Sequence, residues 1–116
     1  MADQPSALMT PLPVILESPY AGDVEGNLAY LRECMRDSLL RGEAPFASHA
    51  LYTQVLDDNN AGEREAGIQA GFAWRMRAVK TVVYTDRGLS RGMLYGIEHA
   101  KSCGHVIEYR ELGRRG

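Results

Sequence analysis

The chain has 116 residues, of which 45% are hydrophobic and 24% charged, and its 13 basic and 15 acidic residues give a formal net charge of −2. This length corresponds to a single domain, which can bury about two thirds of the surface of its unfolded chain without a disulfide or a metal. The charge balance predicts no general attraction to nucleic acid or to an anionic membrane.

The N-terminal segment and the two cysteines predict the compartment. Met1–Thr10 has no basic n-region or apolar h-region, and no apolar run approaches the roughly 20 residues that a membrane span needs. Cys34 and Cys103 form no CxxC pair and both fall in apolar helical patterns, so two packed, reduced thiols are expected. We therefore expect a soluble, cytoplasmic protein.

The first third of the chain predicts an arm, a strand and a helix. Residues 1–13 contain three prolines and are expected to form a flexible arm before a single domain over residues 14–112, with 113–116 as a tail. Val14–Glu17 is a short apolar run bounded by prolines, which is typical of a buried strand. The helix that follows ends at Gly42, a typical C-cap residue. Its predicted inward residues are Leu28, Leu31, Met35 and Leu39.

The middle of the chain predicts a second strand over Ala44–Ser48, a loop over Leu51–Asn59 and a helix that ends near Ala78. Asn60 and Glu63 have the spacing of a capping box at the start of this helix. The side chains expected to pack from it are those of Ile68, Phe72, Trp74 and Met76.

The last third predicts a strand, a helix and a strand. Thr81–Thr85 is the clearest strand, and Asp86–Leu89 is the turn that leaves it. Ser90 begins a helix that ends near Gly104, and His105–Tyr109 is the final strand. The inward stripe of this helix comprises Met93, Ile97 and Ala100.

The alternation of strands and helices predicts an α/β fold with about four parallel strands and helices on both faces. In such sheets, ligands bind beyond the carboxyl ends of the strands, near the point where the strand order reverses. Three segments are expected to share this edge: Ser18–Asp23, Ser48–Tyr52 and Asp86–Met93.

Ser90, Arg91, Gly92 and Met93 follow a strand and a turn and open a helix. The free backbone N–H groups of a helix N-terminus favour an anion, the Ser90 hydroxyl adds a donor, and Gly92 allows close approach of a ligand. The alternative interpretation is structural, with Ser90 as the N-cap and Gly92 as a packing glycine.

Other polar residues at this edge have two interpretations each. Asp86 could bind a sugar hydroxyl or a base, or it could form an Asx turn before Gly88. Asp23 and Asn27 could contact a ligand, or they could cap the first helix. Tyr20 and His49 follow the first two strands and could stack on a base or hydrogen-bond to it, although a histidine at a strand end is more often structural. The sequence has no P-loop, GxGxxG, GxSxG or HExxH motif and no metal-ligand spacing, so no cofactor or metal is predicted.

These segments resemble the nucleoside 2-deoxyribosyltransferase superfamily, in particular its small phage-type members. The resemblance extends from Val14 to about Leu112. It is carried by Ser18–Asp23, Ser48-His49 with Leu51-Tyr52, Leu56–Asp58, Val83–Asp86, and Ser90–Met93 with the helix to Ala100.

The resemblance implies a three-layer flavodoxin-like or Rossmann-like fold in a bacterial or phage-infected cell. Active members of the superfamily cleave or exchange the N-glycosidic bond of a deoxynucleoside or nucleotide through a covalent glycosyl-glutamate. The resemblance assigns Asp86 to the ligand-binding aspartate and Tyr20 to the tyrosine that orients the nucleophile. The implied ligand-binding residues are Ser18, Pro19, Asp23, Asn27, His49, Ser90, Arg91, Gly92 and Met93.

The chain departs from the superfamily at the nucleophile. In the superfamily motif Ser-x-Gly-x-x-x-Glu, Ser90 and Gly92 are in register, but the glutamate position is Gly96. Glu98 lies two residues further on, about 200° around the helix, and is expected to point elsewhere.

Three hypotheses follow. The first is a protein that binds a nucleotide or a nucleotide-derived ligand without cleaving it. The second is a hydrolase of the N-glycosidic bond of nucleoside 5′-monophosphates that works without the usual glutamate. The third is a structural homo-oligomer with a vestigial pocket. The resemblance also implies a homodimer or a higher homo-oligomer.

Overall fold

The structure is a computed structural model that describes residues 10–113. Its centre is one four-stranded sheet in which every pair of neighbouring strands is parallel. The strand order is β2-β1-β3-β4, so the chain reverses its direction of travel across the sheet after β2. The strands are β1 (Leu12–Glu17), β2 (Glu43–Phe46), β3 (Lys80–Tyr84) and β4 (Ile107–Arg110).

Helices connect the strands on both faces of the sheet. They are α1 (Val24–Leu40), α2 (Ser48–Leu51), α3 (Ala61–Arg75) and α4 (Arg91–Ser102), with a 3-10 turn over Tyr52–Gln54. This arrangement confirms the predicted Rossmann-like α/β fold. None of the helices in residues 10–113 has the length and apolar character needed to cross a membrane.

Alternation along the strands separates two apolar clusters. On one face, Val82 and Tyr84 of β3 pack with Tyr30, Leu31 and Cys34 of α1, together with side chains of β1. On the other face, Val83 packs with Met93 and Ile97 of α4. The inward stripe predicted for α4 is therefore confirmed, since Met93, Ile97 and Ala100 are all buried.

The largest differences from the predicted elements are at the start of β1 and in the segment that follows β2. Strand β1 begins at Leu12, inside the predicted arm, because Leu12 and Pro13 pair with β2; Met1–Met9 of that arm lie outside the described residues. Strand β2 ends at Phe46, two residues before the predicted end, and α2 begins at Ser48 with amides bonded to Ala47 O. The predicted loop over Leu51–Asn59 is partly wrong, because Leu51 belongs to α2 and Tyr52–Gln54 form a 3-10 turn.

Three large apolar side chains expected in the core are exposed instead: Leu39 (56%), Trp74 (48%) and Met76 (69%). In α3 the buried positions are Gly71 and Arg75, because the arginine binds polar partners beneath the helix. Cys34 is buried as expected, whereas Cys103 is exposed, which corrects the prediction of two packed thiols.

Helices α1 and α3 both begin at a residue whose side chain caps the helix. The Asp23 carboxylate accepts a hydrogen bond from Gly26 N at the start of α1, and Asn60 accepts one from Glu63 N at the start of α3. The second half of the predicted capping box is wrong, because the Glu63 carboxylate accepts from Asp57 N rather than from Asn60 N.

Candidate ligand-binding cleft

A cleft of about 1080 Å³ opens on the sheet face that carries α3 and α4, at the carboxyl end of β1. This volume slightly exceeds the range of roughly 300–1,000 Å³ that is typical of ligand pockets. Ile15 and Glu17 of β1 contribute to its floor, and residues of α3 and α4 form walls. The cleft therefore lies where the strand order reverses, the position expected for a ligand in this class of fold.

The first turn of α4 lines this cleft with all four predicted residues, Ser90, Arg91, Gly92 and Met93. Ser90 is the N-cap, since its Oγ accepts a hydrogen bond from Met93 N at 3.2 Å. Its own amide donates to Met93 Sδ at 3.4 Å. The structural interpretation of Ser90 is thus confirmed. The serine proton nevertheless has no acceptor within residues 10–113, so capping leaves it available as a donor.

Ser18 and His49 also line the cleft and contact each other, with Ser18 Oγ 2.8 Å from His49 Nε2. Burial lowers the pKa of His49 to about 4, so the imidazole is neutral at neutral pH. Helix α2 places this ring in the cleft. Tyr20 lies in the same lining, on the loop that follows β1.

The strongest electrostatic feature of the cleft is an ion pair between Glu17 and Arg75. Arg75 Nη2 donates to Glu17 Oε2 at 2.6 Å, and the two side chains are only 2% and 13% exposed. Arg75 Nη1 donates to Gly96 O at 2.6 Å and lies 3.1 Å from His99 Nδ1. Burial raises the pKa of Glu17 to about 7, although the positive charge of Arg75 acts in the opposite direction.

Gly96 leaves the space that the Glu17 carboxyl occupies. A Cβ atom built on Gly96 would lie 2.7 Å from Glu17 Cδ and 2.8 Å from Glu17 Oε1, distances that Cβ atoms do not show. The position where the resemblance expects a glutamate therefore has no room for a side chain. A carboxyl group is present at this point of the cleft, but it comes from β1 instead of α4.

Asp86, predicted as a ligand-binding or catalytic carboxylate, does not line the cleft. Its Oδ1 accepts a hydrogen bond from Tyr30 Oη at 2.6 Å, and Leu112 N donates to both carboxylate oxygens at 3.1 Å. The carboxylate is held on the α1 side of the sheet, because Tyr30 belongs to α1. Its observed partners give Asp86 a structural role.

Pro19, Asp23 and Asn27 also lie outside the cleft lining. Pro19 is buried. Asp23 is the N-cap of α1 and forms an exposed ion pair with Arg87 at 3.4 Å. Asn27 donates to Tyr20 O and Ala21 O, at 3.0 and 3.1 Å. These residues hold the loop that presents Tyr20, which makes their contribution to the cleft indirect.

A family model described as a domain of unknown function, DUF7768, matches residues 12–110. The chain belongs to the DUF7768 family. No curated protein and no solved structure matches the chain significantly. The matched range begins with β1 and ends with β4, so this domain includes every element that builds the cleft.

Two cleft residues of the DUF7768 domain, Glu17 and Arg75, were missed by the sequence analysis. In the sequence, Glu17 is the polar end of an apolar strand, and Arg75 falls in a helix whose apolar residues suggested a different inward face. The alternation of side chains along β1 could have identified Glu17, because it places Glu17 on the same face of the sheet as Ile15. Within residues 10–113, no three histidine, cysteine, aspartate or glutamate side chains converge as metal ligands.

Proposed function

We propose that the cleft binds a nucleotide or a nucleotide-derived ligand, in a pocket like that of the nucleoside 2-deoxyribosyltransferases. The observation that carries the proposal is that the first turn of α4, with Ser90, Arg91 and Gly92, lines the same cleft as Tyr20 and His49. One part of the cleft offers hydrogen-bond donors, and another offers aromatic side chains. A ligand with an anionic group and a ring has the complementary chemistry.

The anionic group of the ligand is assigned to the start of α4. The N-terminus of a helix carries roughly half a positive charge, and because Ser90 caps the Met93 amide, the Arg91 and Gly92 amides are the ones left to donate to a ligand. Arg91 is exposed and has no side-chain partner within residues 10–113, so it is free to bind an anion. Arg64 adds a second cation to the cleft lining. A phosphate or carboxylate fits this chemistry.

The ring of the ligand is assigned to the apolar part of the cleft. Phe72, Ile68 and Met93 line it together with Tyr20, and the neutral His49 offers a hydrogen-bonding edge. The net charge of −2 provides no general attraction for polyanions, which favours a small nucleotide over a nucleic acid.

Thermal denaturation in the presence of nucleosides, nucleoside 5′-monophosphates and cyclic nucleotides tests the proposal. We expect at least one monophosphate to raise the Tm, and its parent nucleoside to do so less. Arg91→Ala should weaken binding roughly 10- to 150-fold, since a charge-assisted hydrogen bond contributes roughly 1.5–3 kcal/mol.

The matched control is Arg77→Ala, which removes an exposed arginine that does not line the cleft. This variant should bind like the wild type. If no compound of the panel shifts the Tm, or if both variants weaken binding equally, the proposed site is wrong.

A further inference from the structure

Strand β4 is an edge strand whose outer side has free backbone groups. Within residues 10–113 it pairs only with β3. The carbonyls of Val106 and Arg110 accept hydrogen bonds from the β3 side, at 2.8 and 3.0 Å, so the backbone of alternate residues along β4 faces β3. The N–H and C=O groups of Ile107 and Tyr109, which lie between them, therefore point away from the sheet.

The chain on either side of β4 leaves this outer side open. Leu112 N donates to the Asp86 carboxylate, so the chain that follows β4 turns toward the end of β3. The ring of His105, just before β4, contacts Ala78 O at 2.8 Å on the inner side of the strand. The side chain of Tyr109 is about half exposed. The outward amides of β4 find no acceptor within residues 10–113.

The opposite edge of the sheet, strand β2, is blocked by a proline. Gly42 O accepts from Leu12 N at 3.2 Å, so the alternation along β2 gives the outward backbone positions to Glu43 and Pro45. Proline has no N–H group, and the outer side of β2 therefore lacks a donor there. Proteins use proline in this way to prevent association between sheet edges. Strand β4 has neither a proline nor a bulge, which makes it the edge that can accept another strand.

The charges of β4 favour a second copy of the same strand as the partner. If two copies pair antiparallel about Tyr109, Glu108 of each copy lies directly opposite Arg110 of the other. Opposite charges at such positions stabilise a strand pair, whereas a register centred on Glu108 places like charges opposite each other and is destabilising. Glu108 and Arg110 already form an ion pair within the chain at 2.8 Å, and the second copy extends this network.

The first register also brings the two Tyr109 side chains together. Aromatic side chains that lie directly opposite each other on an antiparallel pair stabilise it. The backbone groups of Tyr109 in each copy then bond to those of Tyr109 in the other. Charge, ring and backbone thus select the same register.

We propose that two copies of the chain associate through β4, antiparallel about Tyr109, and form one continuous sheet from their two four-stranded sheets. Both copies use the same surface, so the assembly closes as a symmetric dimer. No residue of β4 lines the cleft, so both clefts stay open and the dimer does not depend on the proposed ligand. The assignment rests on the strand edges and not on the resemblance.

Light scattering after size-exclusion chromatography measures the mass of the full chain between low micromolar and near-millimolar concentrations. We expect twice the chain mass of 12.8 kDa at the upper end. Tyr109→Pro removes one outward amide donor from each copy and should weaken the dimer roughly 5- to 150-fold. The matched control, Leu40→Ala, removes a more exposed apolar side chain on α1 and should not change the mass.

A disulfide tests the register. Two Tyr109 residues that exchange hydrogen bonds have Cα atoms about 5.5 Å apart, a distance that suits a disulfide. Two Val106 residues in the same dimer lie six residues apart along the strand, about 20 Å. With the exposed Cys103 replaced by serine, Tyr109→Cys should form a disulfide-linked dimer under mild oxidation. Val106→Cys, at a position at least as exposed, should not.

A chain that stays monomeric at every concentration overturns the proposal. A dimer that Tyr109→Pro leaves intact, or that Leu40→Ala weakens as much, places the contact elsewhere and also rejects it. Equal cross-linking of the two cysteine variants excludes the register about Tyr109. If Tyr109→Pro does not fold, which its thermal denaturation reports, the yields of the two disulfides decide.

Discussion

The carboxyl of Glu17 and the backbone of Gly96 occupy adjoining space, and each restricts what the other position can hold. A methyl group at Gly96 would approach Glu17 Cδ to 2.7 Å. The ion pair with Arg75 limits how far the carboxyl can move away, since that arginine is also bound to Gly96 O. The glycine at this position is therefore explained by packing against β1.

Gly96→Ala should destabilise the protein by about 1–3 kcal/mol, because it overpacks a site that cannot relax freely. Gly92→Ala is the matched control on the same helix, since a Cβ there meets only Ser90 Oγ at 4.0 Å. It should be neutral, or stabilising by up to about 1 kcal/mol. Urea denaturation measures both. Equal effects of the two substitutions would contradict the packing account.

At the scale of single residues, the sequence predicted the capping side chains better than the direction of side chains at strand ends. Ser90 was recognised from its place before a periodic run, which is a local signal. The position of Asp86 outside the cleft lining was not predictable, because its partner Tyr30 is distant in the sequence. Glu17 was missed for the same reason, since its partner Arg75 lies on α3, 58 residues away in the sequence.

At the scale of elements, glycines of α3 allow close packing against α2 and the segment that follows it. A Cβ on Gly71 would lie 2.8 Å from Ser48 Cβ, and one on Gly67 would lie 3.2 Å from Leu56 Cδ1. At these two positions the absence of a side chain on α3 lets Ser48 and Leu56 approach the helix closely. The contact matters for the cleft, because Ser48 begins the helix that carries His49.

Gly71→Ala should destabilise the protein by about 1–3 kcal/mol and displace α2. Gly62→Ala in the first turn of the same helix is the control, because its nearest atom, Asn60 Oδ1, is 3.5 Å away. The control should change the free energy of unfolding by no more than about 1 kcal/mol. Chemical denaturation and the chemical shifts of His49 report the two effects. An unchanged His49 in a destabilised Gly71→Ala protein would refute the link to the cleft.

The strand and helix order was predictable because apolar runs and periodic stripes are properties of local sequence. Helix α2 was not predicted because four residues are too short to show a period. The inward face of α3 was misjudged because Arg75 is buried by its polar partners, whereas periodicity counts only apolar side chains.

At the scale of the whole molecule, a polar network joins the two edges of the sheet. Arg110 of β4 donates to both carboxylate oxygens of Glu43 in β2 at 2.9 Å, across the face that α1 covers. Ser38 of α1 and Lys80 of β3 also bind Glu43. Since β2 and β4 are the edge strands, this network ties together elements that share no backbone pairing.

Hydrogen bonds from Arg110 lower the pKa of Glu43 from 4.5 to about 2. A carboxylate whose pKa is lowered by folding stabilises the protein above its ordinary pKa and loses that contribution as the pH falls. We expect the urea midpoint to decrease between pH 4.5 and about 2 for this reason. Glu43→Gln should cost roughly 1.5–3 kcal/mol at neutral pH, because Arg110 loses its charge-assisted hydrogen bonds to Glu43 and keeps only Glu108 as a carboxylate partner.

The control is Glu111→Gln, an exposed carboxylate for which no such loss is expected. If Glu43→Gln retained the full acid dependence of the wild type, the network would not be its source.

The homo-oligomeric state and the cytoplasmic location inferred from the sequence stay predictions.

Amide chemical shifts of the isotope-labelled protein, titrated with nucleoside 5′-monophosphates, test most directly whether a nucleotide occupies this cleft. We expect saturable shifts confined to Ser90–Met93, the end of β1 and the start of α2, with none on the outer face of α1 around Arg36. Shifts centred on Asp86 and α1 would contradict it, as would the absence of any saturable shift with every monophosphate.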